Sequence, residues 1–216
     1  MEAWARDTLD AHPVTAHDWL HVQRVCRLAV RIAQAEGVDP WLAAVAATIH
    51  DVGRAAPGPG SEHGLRSSEL AAPLLSELGL GDADREVVLH ATRWHNSGRS
   101  DTPLLCVLRD ADMLDGMGAI GLMRALMSKN MLPPYEPETL FDGEPRRPPA
   151  CVADQVRFQM EWIGWMNTET GRRLAQSRYE FMQLFADQVR AELLDGRNGC
   201  KGGRKKEDGE NVPRSV

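Results

Sequence analysis

Apolar positions recur with helical spacing along most of the chain. In the segment 19–37, one face carries His21, Val25, Leu28 and Ile32 at positions i, i+4, i+7 and i+11. Such a series lies along one side of an α-helix, whereas a half-buried strand requires strict alternation of apolar and polar residues. No segment shows a convincing alternation of that kind. The pattern therefore predicts an all-α fold.

Local signals predict where these helices begin and end. Gly37 follows the last apolar position of the first segment and is a typical helix stop. The pair Asp39-Pro40 combines an N-cap with proline at the first helical position, and we expect a buried, alanine-rich helix from there to about Val52. Comparable signals predict helices at about 65–78, from 82, from 103, and at about 119–127, 152–166 and 170–194.

Two segments lack this periodicity. Residues 130–150 contain six prolines, which predicts a long surface loop, and loops of this length tend to be functional. Residues 196–216 are charged and rich in glycine, so they cannot bury enough apolar surface to become ordered. We therefore expect one domain over residues 1–195 and a disordered tail over 196–216.

Composition and charge narrow the functional classes. The 216 residues carry a net charge of −6, which argues against non-specific binding to nucleic acid. No run approaches the roughly 18 apolar residues that span a bilayer, and the acidic N-terminal segment does not resemble a signal peptide. These features predict a cytoplasmic protein without a membrane partner. The four cysteines are far apart in sequence, which favours free thiols over a zinc knuckle.

Four polar residues on apolar helix faces suggest a metal site. His50-Asp51 ends a segment made largely of Ala, Val, Ile and Leu, where a carboxylate needs a cation or hydrogen-bond donors. His21 and Asp112 also lie on core-facing stripes. Imidazole and carboxylate together suit Mn²⁺, Fe²⁺, Co²⁺, Zn²⁺ or Mg²⁺. All seven histidines lie in the first 95 residues, which indicates that the first half is chemically specialised.

The same residues occur in segments that resemble a known family. The segments AHDWLHVQRV, ATIHDVG, LRSSEL, HATRWH and DADMLDGMGAIG are similar to motifs of the HD superfamily of metal-dependent phosphohydrolases. The resemblance covers about residues 15–125, and RRLAQSRYEFMQLFADQV resembles the C-terminal segment of one bacterial group. Some relatives of that group are similar to manganese-dependent nucleotide pyrophosphohydrolases.

This resemblance implies a helical domain around a metal-site core at about residues 15–125, with C-terminal helices at about 152–194. The implied metal ligands are His21, His50, Asp51 and Asp112. The implied activity is hydrolysis of a phosphate ester or anhydride in a small phosphorylated substrate, by water that the metal activates.

Three arginines are candidates for binding the substrate's phosphates. Arg54 follows the His-Asp pair at a position where HD enzymes often carry a charged residue, and Arg24 and Arg66 are further candidates. Each of them is equally compatible with an ion pair inside the protein. Some members of the superfamily carry Glu at this position, and because Arg54 departs from them, the resemblance does not imply an acid/base role there.

Two further histidines raise the question of a second ion. His95 matches a histidine that supports a second metal in some HD proteins, and His63 is placed similarly, in the loop before a helix. Both are also compatible with contacts to the substrate or to the ligands, and this interpretation is slightly favoured. Asp115 is interpreted as a surface carboxylate or a partner of a ligand, and not as a ligand.

Two other functions remain open at this point. HD-type dinuclear iron oxygenases use four histidines and two aspartates, a set that His21, His50, Asp51, His63, His95 and Asp112 could supply. A non-catalytic module that binds a metal or nucleotide is the other alternative, although the intact set of ligand types weighs against it.

Overall fold

Nine α-helices and no β-strand occur in the part of the chain that the structure describes, so the predicted all-α class is confirmed. The computed structural model describes residues 1–11, 16–99, 101–136 and 141–199, with side chains through residue 195. The helices are α1 (Glu2–Ala11), α2 (Trp19–Glu36), α3 (Pro40–Ile49), α4 (His63–Glu77), α5 (Asp82–Trp94), α6 (Pro103–Asp115), α7 (Gly118–Ser128), α8 (Val152–Glu161) and α9 (Glu169–Gly199). Short 3₁₀ helices occupy Val52–Ala55, Gly60–Glu62 and Trp162–Trp165.

Three predicted helix boundaries have the expected capping chemistry. Gly37 ends α2 with a φ of 70°, a left-handed conformation that glycine adopts without steric cost. The Asp39 carboxylate accepts hydrogen bonds from the backbone N–H groups of Trp41 and Leu42 at the start of α3. The Thr102 hydroxyl accepts one from Leu105 at the start of α6. These boundaries follow from local sequence.

The core forms where the apolar faces of the helices meet. Helix α2 packs against α3, α6 and α9, and α4 packs against α5. The buried cluster includes Val25 and Ile32 of α2, Ile49 of α3, and Leu105 and Leu108 of α6. Burying each of these larger side chains contributes about 1.5–3 kcal/mol. The same faces carry the polar residues that the sequence singles out, so core packing brings those residues together.

The His50-Asp51 pair lies just beyond a helix end and not inside the helix. Helix α3 ends at Ile49, earlier than the predicted end near Val52, and a 3₁₀ helix follows at Val52–Ala55. Gly53 is buried, and its N–H donates to the Ser67 hydroxyl on α4 at 2.8 Å. A methyl group at Gly53 would overlap the backbone of α4. The turn that follows His50 and Asp51 is therefore packed closely against α4.

Helix α4 begins at His63, which the sequence analysis assigned to the preceding loop. Pro73 lies inside this helix without ending it. Because His63 is the first residue of α4 and is buried, its side chain faces the His50-Asp51 turn.

The C-terminal helices are joined to the first half by a buried carboxylate. Asp110 on α6 accepts hydrogen bonds from the backbone N–H groups of Asn167 and Thr168, and from the side chains of both residues, at 2.7–2.8 Å. These bonds fix the start of α9 next to α6. The predicted helix near 152–166 is α8 followed by the 3₁₀ helix at Trp162–Trp165.

A second buried carboxylate fixes the start of α8. Asp154 is fully buried and accepts hydrogen bonds from Arg146 and Arg157, and from the backbone N–H groups of Ala150 and Cys151. Burial raises the pKa of Asp154, but these hydrogen bonds outweigh burial and hold it well below its usual range. The segment before α8 is therefore attached through an ionised carboxylate.

The predicted loop and tail are only partly within the described residues. Residues 130–136 and 141–150 contain no helix, in agreement with the predicted loop, whereas residues 137–140 lie outside the described ranges. The predicted domain end at 195 falls within α9, which continues to Gly199, and residues 200–216 of the predicted tail lie outside. Among the helices that could be searched, none is long and apolar enough to cross a membrane.

Candidate metal centre

The four residues predicted as metal ligands meet at one point between α2, α6 and the end of α3. His21 Nε2 and His50 Nε2 are 3.2 Å apart. Asp51 Oδ2 lies 3.4 Å from His21 Nε2 and 3.6 Å from His50 Nε2. Asp112 Oδ1 lies 3.5 Å and 4.0 Å from the same two nitrogens. Two nitrogens and two carboxylate oxygens thus surround a common centre.

A second set of donor atoms meets at the other oxygen of Asp51. His63 Nε2 lies 3.1 Å from Asp51 Oδ1 and 3.0 Å from His95 Nε2, which is itself 3.9 Å from Asp51 Oδ1. His63, His95 and Asp51 are all buried. One carboxylate therefore faces both sets, with Oδ2 toward His21 and His50, and Oδ1 toward His63 and His95.

Hydrogen bonds at Nδ1 determine which nitrogen of each ring carries a proton. His50, His63 and His95 each have Nδ1 within 2.6–2.7 Å of a backbone carbonyl oxygen, those of Ala47, Gly60 and Thr92 respectively. A carbonyl oxygen can only accept, so Nδ1 is the donor, and in the neutral ring Nε2 is left with a lone pair. In His21, Nδ1 lies 2.7 Å from a carboxylate oxygen of Asp115, with the same result.

These tautomers make the centre suited to a cation. The close nitrogen pair His21–His50 directs two lone pairs at the same space, which is repulsive unless a proton or cation lies between them, whereas at His63–His95 an Arg54 nitrogen lies 3.1 Å from His63 Nε2 and can donate to it. Burial lowers the pKa of His50, and it lowers that of His95 to about 3, so both rings are neutral at pH 7. Neutral imidazole and carboxylate suit a divalent ion, and the residues present therefore fit a metal.

His21 is the ring in this centre at which a proton competes with a cation. Burial lowers the pKa of His21, but hydrogen bonds to Asp115 and Asp51 outweigh burial and raise the pKa above its usual range. Burial likewise raises the pKa of Asp112, but His50 and His21 lower it to about 2. At neutral pH the carboxylate is ionised, and an ion that binds His21 Nε2 displaces a proton from it.

Asp115 holds His21 in place and is far more buried than a surface carboxylate. Its two oxygens bind His21 Nδ1 at 2.7 Å, Arg24 Nε at 2.6 Å and an Arg124 nitrogen at 3.0 Å. A carboxylate behind a ligand histidine fixes the ring's tautomer and orientation. Of the two roles that the sequence left open for Asp115, the partner of a ligand is the one that agrees with this geometry.

His17 belongs to the centre, although the sequence analysis did not select it. Its Nδ1 lies 2.7 Å from Asp51 Oδ2, and its side chain is 26% exposed. Burial lowers the pKa of His17, which keeps the ring neutral at pH 7. The available signal was the segment AHDWLHVQRV, which contains His17 four residues before His21. His17 precedes α2, so helical periodicity gave no reason to place it beside His21.

The three candidate arginines have different surroundings. Arg54 contacts Asp51 Oδ1 at 2.7 Å and His63 Nε2 at 3.1 Å, and it lines the cleft at the centre. Arg24 is bonded to Asp115, and Arg66 donates to the backbone carbonyls of Gly53 and Pro59. The structure thus brings Arg54 to the cleft, whereas Arg24 and Arg66 are held by protein groups away from it. Arg24 and Arg66 therefore make contacts inside the protein, which is the alternative to phosphate binding that the sequence left open.

The cleft has a volume of about 410 Å³ and opens beside the donor atoms. One wall contains His17, Arg54, His95 and Asp112. The remainder comes largely from α7, α8 and the segment after α8, and its lining includes Arg109, Arg124, Lys129, Phe158, Gln159, Trp162 and Trp165. The sequence analysis selected none of these seven residues, because each is an ordinary residue for its own segment. Only the packing of that segment opposite the metal centre places it in the cleft.

Comparisons with known proteins agree with this architecture. Residues 19–117 of the chain match the sequence model of the HD domain family. The chain is 30% identical over 200 residues to the uncharacterized protein YpgQ of Bacillus subtilis. The aligned region covers 89% of this chain and 92% of YpgQ.

Solved structures extend the likeness to the fold. YpgQ in complex with ADP superimposes with a TM-score of 0.67 at 27% identity, over 93% of this chain and 96% of that chain. A Lactobacillus plantarum protein gives a TM-score of 0.71 at 27% identity, over 90% and 95%. A predicted HD-superfamily hydrolase from an uncultured Thermotogales bacterium gives 0.65 at 26%, over 89% and 90%. The chain has the fold of these proteins and belongs to the HD-domain family.

Proposed function

We propose that the protein is a metal-dependent phosphohydrolase that cleaves a phosphate ester or anhydride in a small substrate, with a nucleotide as the favoured class. The proposed metal ligands are His21, His50, Asp51 and Asp112. The observation that carries this proposal is the convergence of two imidazole nitrogens and two carboxylate oxygens at a buried position that opens into a cleft. The two nitrogens are 3.2 Å apart, and each oxygen lies 3.4–4.0 Å from both nitrogens.

The charges around the cleft support a phosphorylated substrate. Arg54, Arg109, Arg124 and Lys129 line the same space as Asp112. The Lys129 ammonium makes no hydrogen bond or ion pair within the described ranges, so its charge is available to a ligand. Guanidinium groups bind phosphate through paired hydrogen bonds, and an ammonium binds it as a point charge. The relative YpgQ binds ADP, which has the same anionic chemistry.

The residues of this chain have distinct proposed roles in hydrolysis. When bound, a divalent ion supplies Lewis acidity toward a phosphoryl oxygen and activates water. Asp115 keeps His21 in the tautomer that presents Nε2, and Arg54 is close enough to Asp51 to bind a phosphate beside it. His17 is neutral and partly exposed to the cleft, so it can accept a proton near the reacting phosphate.

We propose that His63 and His95 would hold a second ion next to Asp51, in place of the Arg54 guanidinium that contacts Asp51 Oδ1 and His63 Nε2. Their Nε2 atoms and Asp51 Oδ1 lie within 3.9 Å of one another. In metal-assisted hydrolysis two ions stabilise the attacking and leaving oxygens together. Under this proposal His95 acts as a ligand at the reaction centre.

The same six residues favour one alternative function. Four histidines and two aspartates around a shared carboxylate are also the set that the dinuclear iron oxygenase hypothesis requires. The two functions differ in what the cleft must bind. Three arginines and one lysine along the cleft favour the phosphohydrolase.

The domain boundaries are part of the proposal. Helix α8 and the segment after it supply one wall of the cleft, so we take residues 1–195 as a single functional domain. The metal-site core by itself lacks that wall.

A substrate panel tests the proposed function. Purified protein is loaded with Mn²⁺, Mg²⁺, Co²⁺, Fe²⁺ or Zn²⁺ and assayed against nucleotides and phosphomonoesters, with phosphate and pyrophosphate release measured separately. We expect turnover with at least one ion, and its loss in Asp51→Asn. Iron-dependent oxygen uptake without phosphate release from any compound would replace the hydrolase by the oxygenase.

A further inference from the structure

A second cavity, of about 360 Å³, lies between α2, the start of α7, and α9. Its lining includes Arg24 and Arg27 of α2, Arg178 of α9 and the buried carboxylate of Asp115. Among the described residues, none lines both this cavity and the substrate cleft. We call it the arginine pocket, because three guanidinium groups border it.

The carboxylate of Asp115 does not neutralise this pocket. Its oxygens bind Arg24 Nε at 2.6 Å, His21 Nδ1 at 2.7 Å and an Arg124 nitrogen at 3.0 Å. Arg124 belongs to the substrate cleft, so one negative charge is shared between the two cavities and the ring of His21. The charges of Arg27 and Arg178 are therefore left over.

Arg178 is a half-buried cation without a carboxylate partner. Its guanidinium donates to the backbone carbonyl of Leu114, and no carboxylate of the described residues lies within ion-pair distance of it. Burial lowers the pKa of Arg178, and the nearby charge of Arg31 acts in the same direction. Removing a charge from water without pairing it is unfavourable, so an anion in the pocket would stabilise this side chain.

The two arginines of α2 have donors that a ligand in the pocket can reach. Arg27 is exposed and makes no hydrogen bond or ion pair with any residue that the structure describes. Arg24 uses Nε and one terminal nitrogen for Asp115, which leaves its other terminal nitrogen for a ligand. Residues three apart are neighbours on a helix surface, so both guanidinium groups serve one space.

The start of α7 adds to the same positive field. Arg178 packs against Gly118, where a methyl group would lie 3.1 Å from Arg178 Cγ. No side chain caps this helix, because the residue before it is Met117. The first N–H groups of a helix carry partial positive charge. The guanidinium groups define the pocket, and these N–H groups increase its preference for an anion.

We propose that the arginine pocket is a second binding site, separate from the metal cleft, for a phosphate group. A phosphate carries about two negative charges and three acceptor oxygens, which matches several guanidinium groups around one space. The bound group would contact Arg24, whose other nitrogens hold Asp115 behind His21. The site does not depend on the proposed hydrolysis, because none of its lining residues is a proposed metal ligand.

The first test changes the charge of the pocket at an exposed position. Ala119 lines the pocket at the start of α7. Ala119→Glu places a carboxylate among the arginines, and an acidic residue in the first turn favours the helix. Ala119→Gln is the matched control, with similar size and no charge. Orthophosphate is titrated calorimetrically into the wild type and both variants at constant ionic strength.

We expect the wild type and Ala119→Gln to bind orthophosphate. Ala119→Glu should bind it about 10-fold or more weakly, which is the lower end of the range for one charge-assisted bond. The result should be the same with and without Mn²⁺. Glycerol 3-phosphate is titrated in parallel. Its tighter binding would assign the site to a phosphate ester, and tighter binding of orthophosphate would assign it to the free ion.

Arginine variants locate the binding site. Arg27→Gln should weaken orthophosphate by about 10-fold or more. Arg173→Gln is the control, because Arg173 is an exposed arginine of α9 outside the pocket, and it should bind as the wild type does. Arg54→Ala removes a cation from the substrate cleft and should likewise leave this binding unchanged.

Thermal unfolding gives an independent measurement. In phosphate-free buffer, Ala119→Glu should melt at a higher temperature than Ala119→Gln, because its carboxylate supplies a counter-ion for Arg178. Saturating orthophosphate should stabilise Ala119→Gln more than Ala119→Glu and reduce the difference between the two.

Four outcomes overturn the site. They are absence of binding of both phosphate compounds by the wild type, equal binding by Ala119→Glu and Ala119→Gln, equal weakening in Arg27→Gln and Arg173→Gln, and loss of binding in Arg54→Ala with retention in Ala119→Glu. The last outcome would place the phosphate in the metal cleft. Loss of hydrolysis across the substrate panel contradicts the proposed function alone, whatever the phosphate titrations give.

Discussion

The two walls of the cleft differ in how much of their chemistry is visible in the sequence. The first wall contains His17 before α2, Arg54 in the 3₁₀ helix after α3, His95 at the end of α5 and Asp112 on α6, beside the buried histidines and Asp51 of the metal centre. The second wall, built by α7, α8 and the segment after α8, consists of arginine, lysine, glutamine and aromatic residues that also occur on ordinary amphipathic helices. A polar group stands out in sequence when its own helix gives it no reason to be there. The comparison predicts that changes of the metal-binding side chains at the first wall abolish chemistry, whereas changes of the phosphate-binding cations or of the second wall alter affinity or the position of the wall.

The largest effect is expected for Asp51→Asn, which changes the carboxylate shared by both sets of donor atoms. The amide keeps the shape and loses the charge, so we expect metal affinity to fall by about 100-fold or more and activity to be lost, with folding preserved. Elemental analysis measures the bound metal, and circular dichroism measures whether the variant is folded. Full metal occupancy in this variant would contradict the ligand assignment.

Asp154→Asn tests whether the second wall depends on its buried ion pair. Removing the charge leaves the buried Arg157 without its carboxylate, whereas Arg146 keeps its ion pair with Glu136, and breaking a buried pair costs about 3–5 kcal/mol. Chemical denaturation measures the loss in free energy of unfolding. The metal content of the folded variant should be unchanged.

The pH dependence of that variant sharpens the test. The pKa of Asp154 is lowered in the folded protein, so its stabilisation is complete above the unfolded value near 3.9 and is lost as the pH falls toward the folded value. The difference in free energy of unfolding between wild type and Asp154→Asn should therefore be constant above about pH 5 and shrink below pH 4. A difference that does not change with pH would mean that the carboxylate's charge is not the stabilising feature.

Asp115→Asn tests how far the first wall depends on the residue behind His21. The amide can donate to His21 Nδ1, which would favour the tautomer with the proton at Nε2, the atom that faces the centre. We expect a loss of about 10- to 100-fold in metal affinity or activity. Titration with Mn²⁺, followed by electron paramagnetic resonance, measures the affinity. Wild-type affinity in this variant would show that the tautomer of His21 is fixed by other contacts.

Arg54 and Arg66 offer a matched pair for phosphate binding. Arg54→Ala should mainly raise KM for the phosphorylated substrate by about 10- to 150-fold, since a charge-assisted bond contributes roughly 1.5–3 kcal/mol. Arg54→Lys should show a smaller rise in KM than Arg54→Ala, because an ammonium keeps the charge without the paired donors.

The matched control is Arg66→Ala. Arg66 is bonded to backbone carbonyls and lies outside the cleft, so we expect its replacement to affect stability more than KM. Equal KM effects for Arg54→Ala and Arg66→Ala would place phosphate binding elsewhere. Metal content should stay constant in both variants.

The smallest effect is expected for deletion of residues 200–216. This segment is charged and rich in glycine, and we expect turnover and melting temperature to remain within error of the full chain. A fall of several degrees on truncation would mean that the segment contributes to the folded protein.

The sequence by itself determined the fold class, several helix boundaries and one set of donor atoms. Gly37, Asp39 and Thr102 act through contacts within a few residues, so their effect is local and was predicted. His21 and Asp112 could be selected because a polar side chain on a core-facing stripe is costly without a partner, wherever that partner lies.

Only the tertiary structure decided which partners these residues have. Whether Arg24 binds a phosphate or Asp115 depends on how α2 packs against α6, and His63 lies beside Asp51 because Gly53 allows the start of α4 to approach closely. Gln159 looks like any polar residue on an amphipathic helix until the opposite wall encloses it. Periodicity fixes the direction of a side chain relative to its own helix axis, whereas the packing of distant helices determines what that side chain meets.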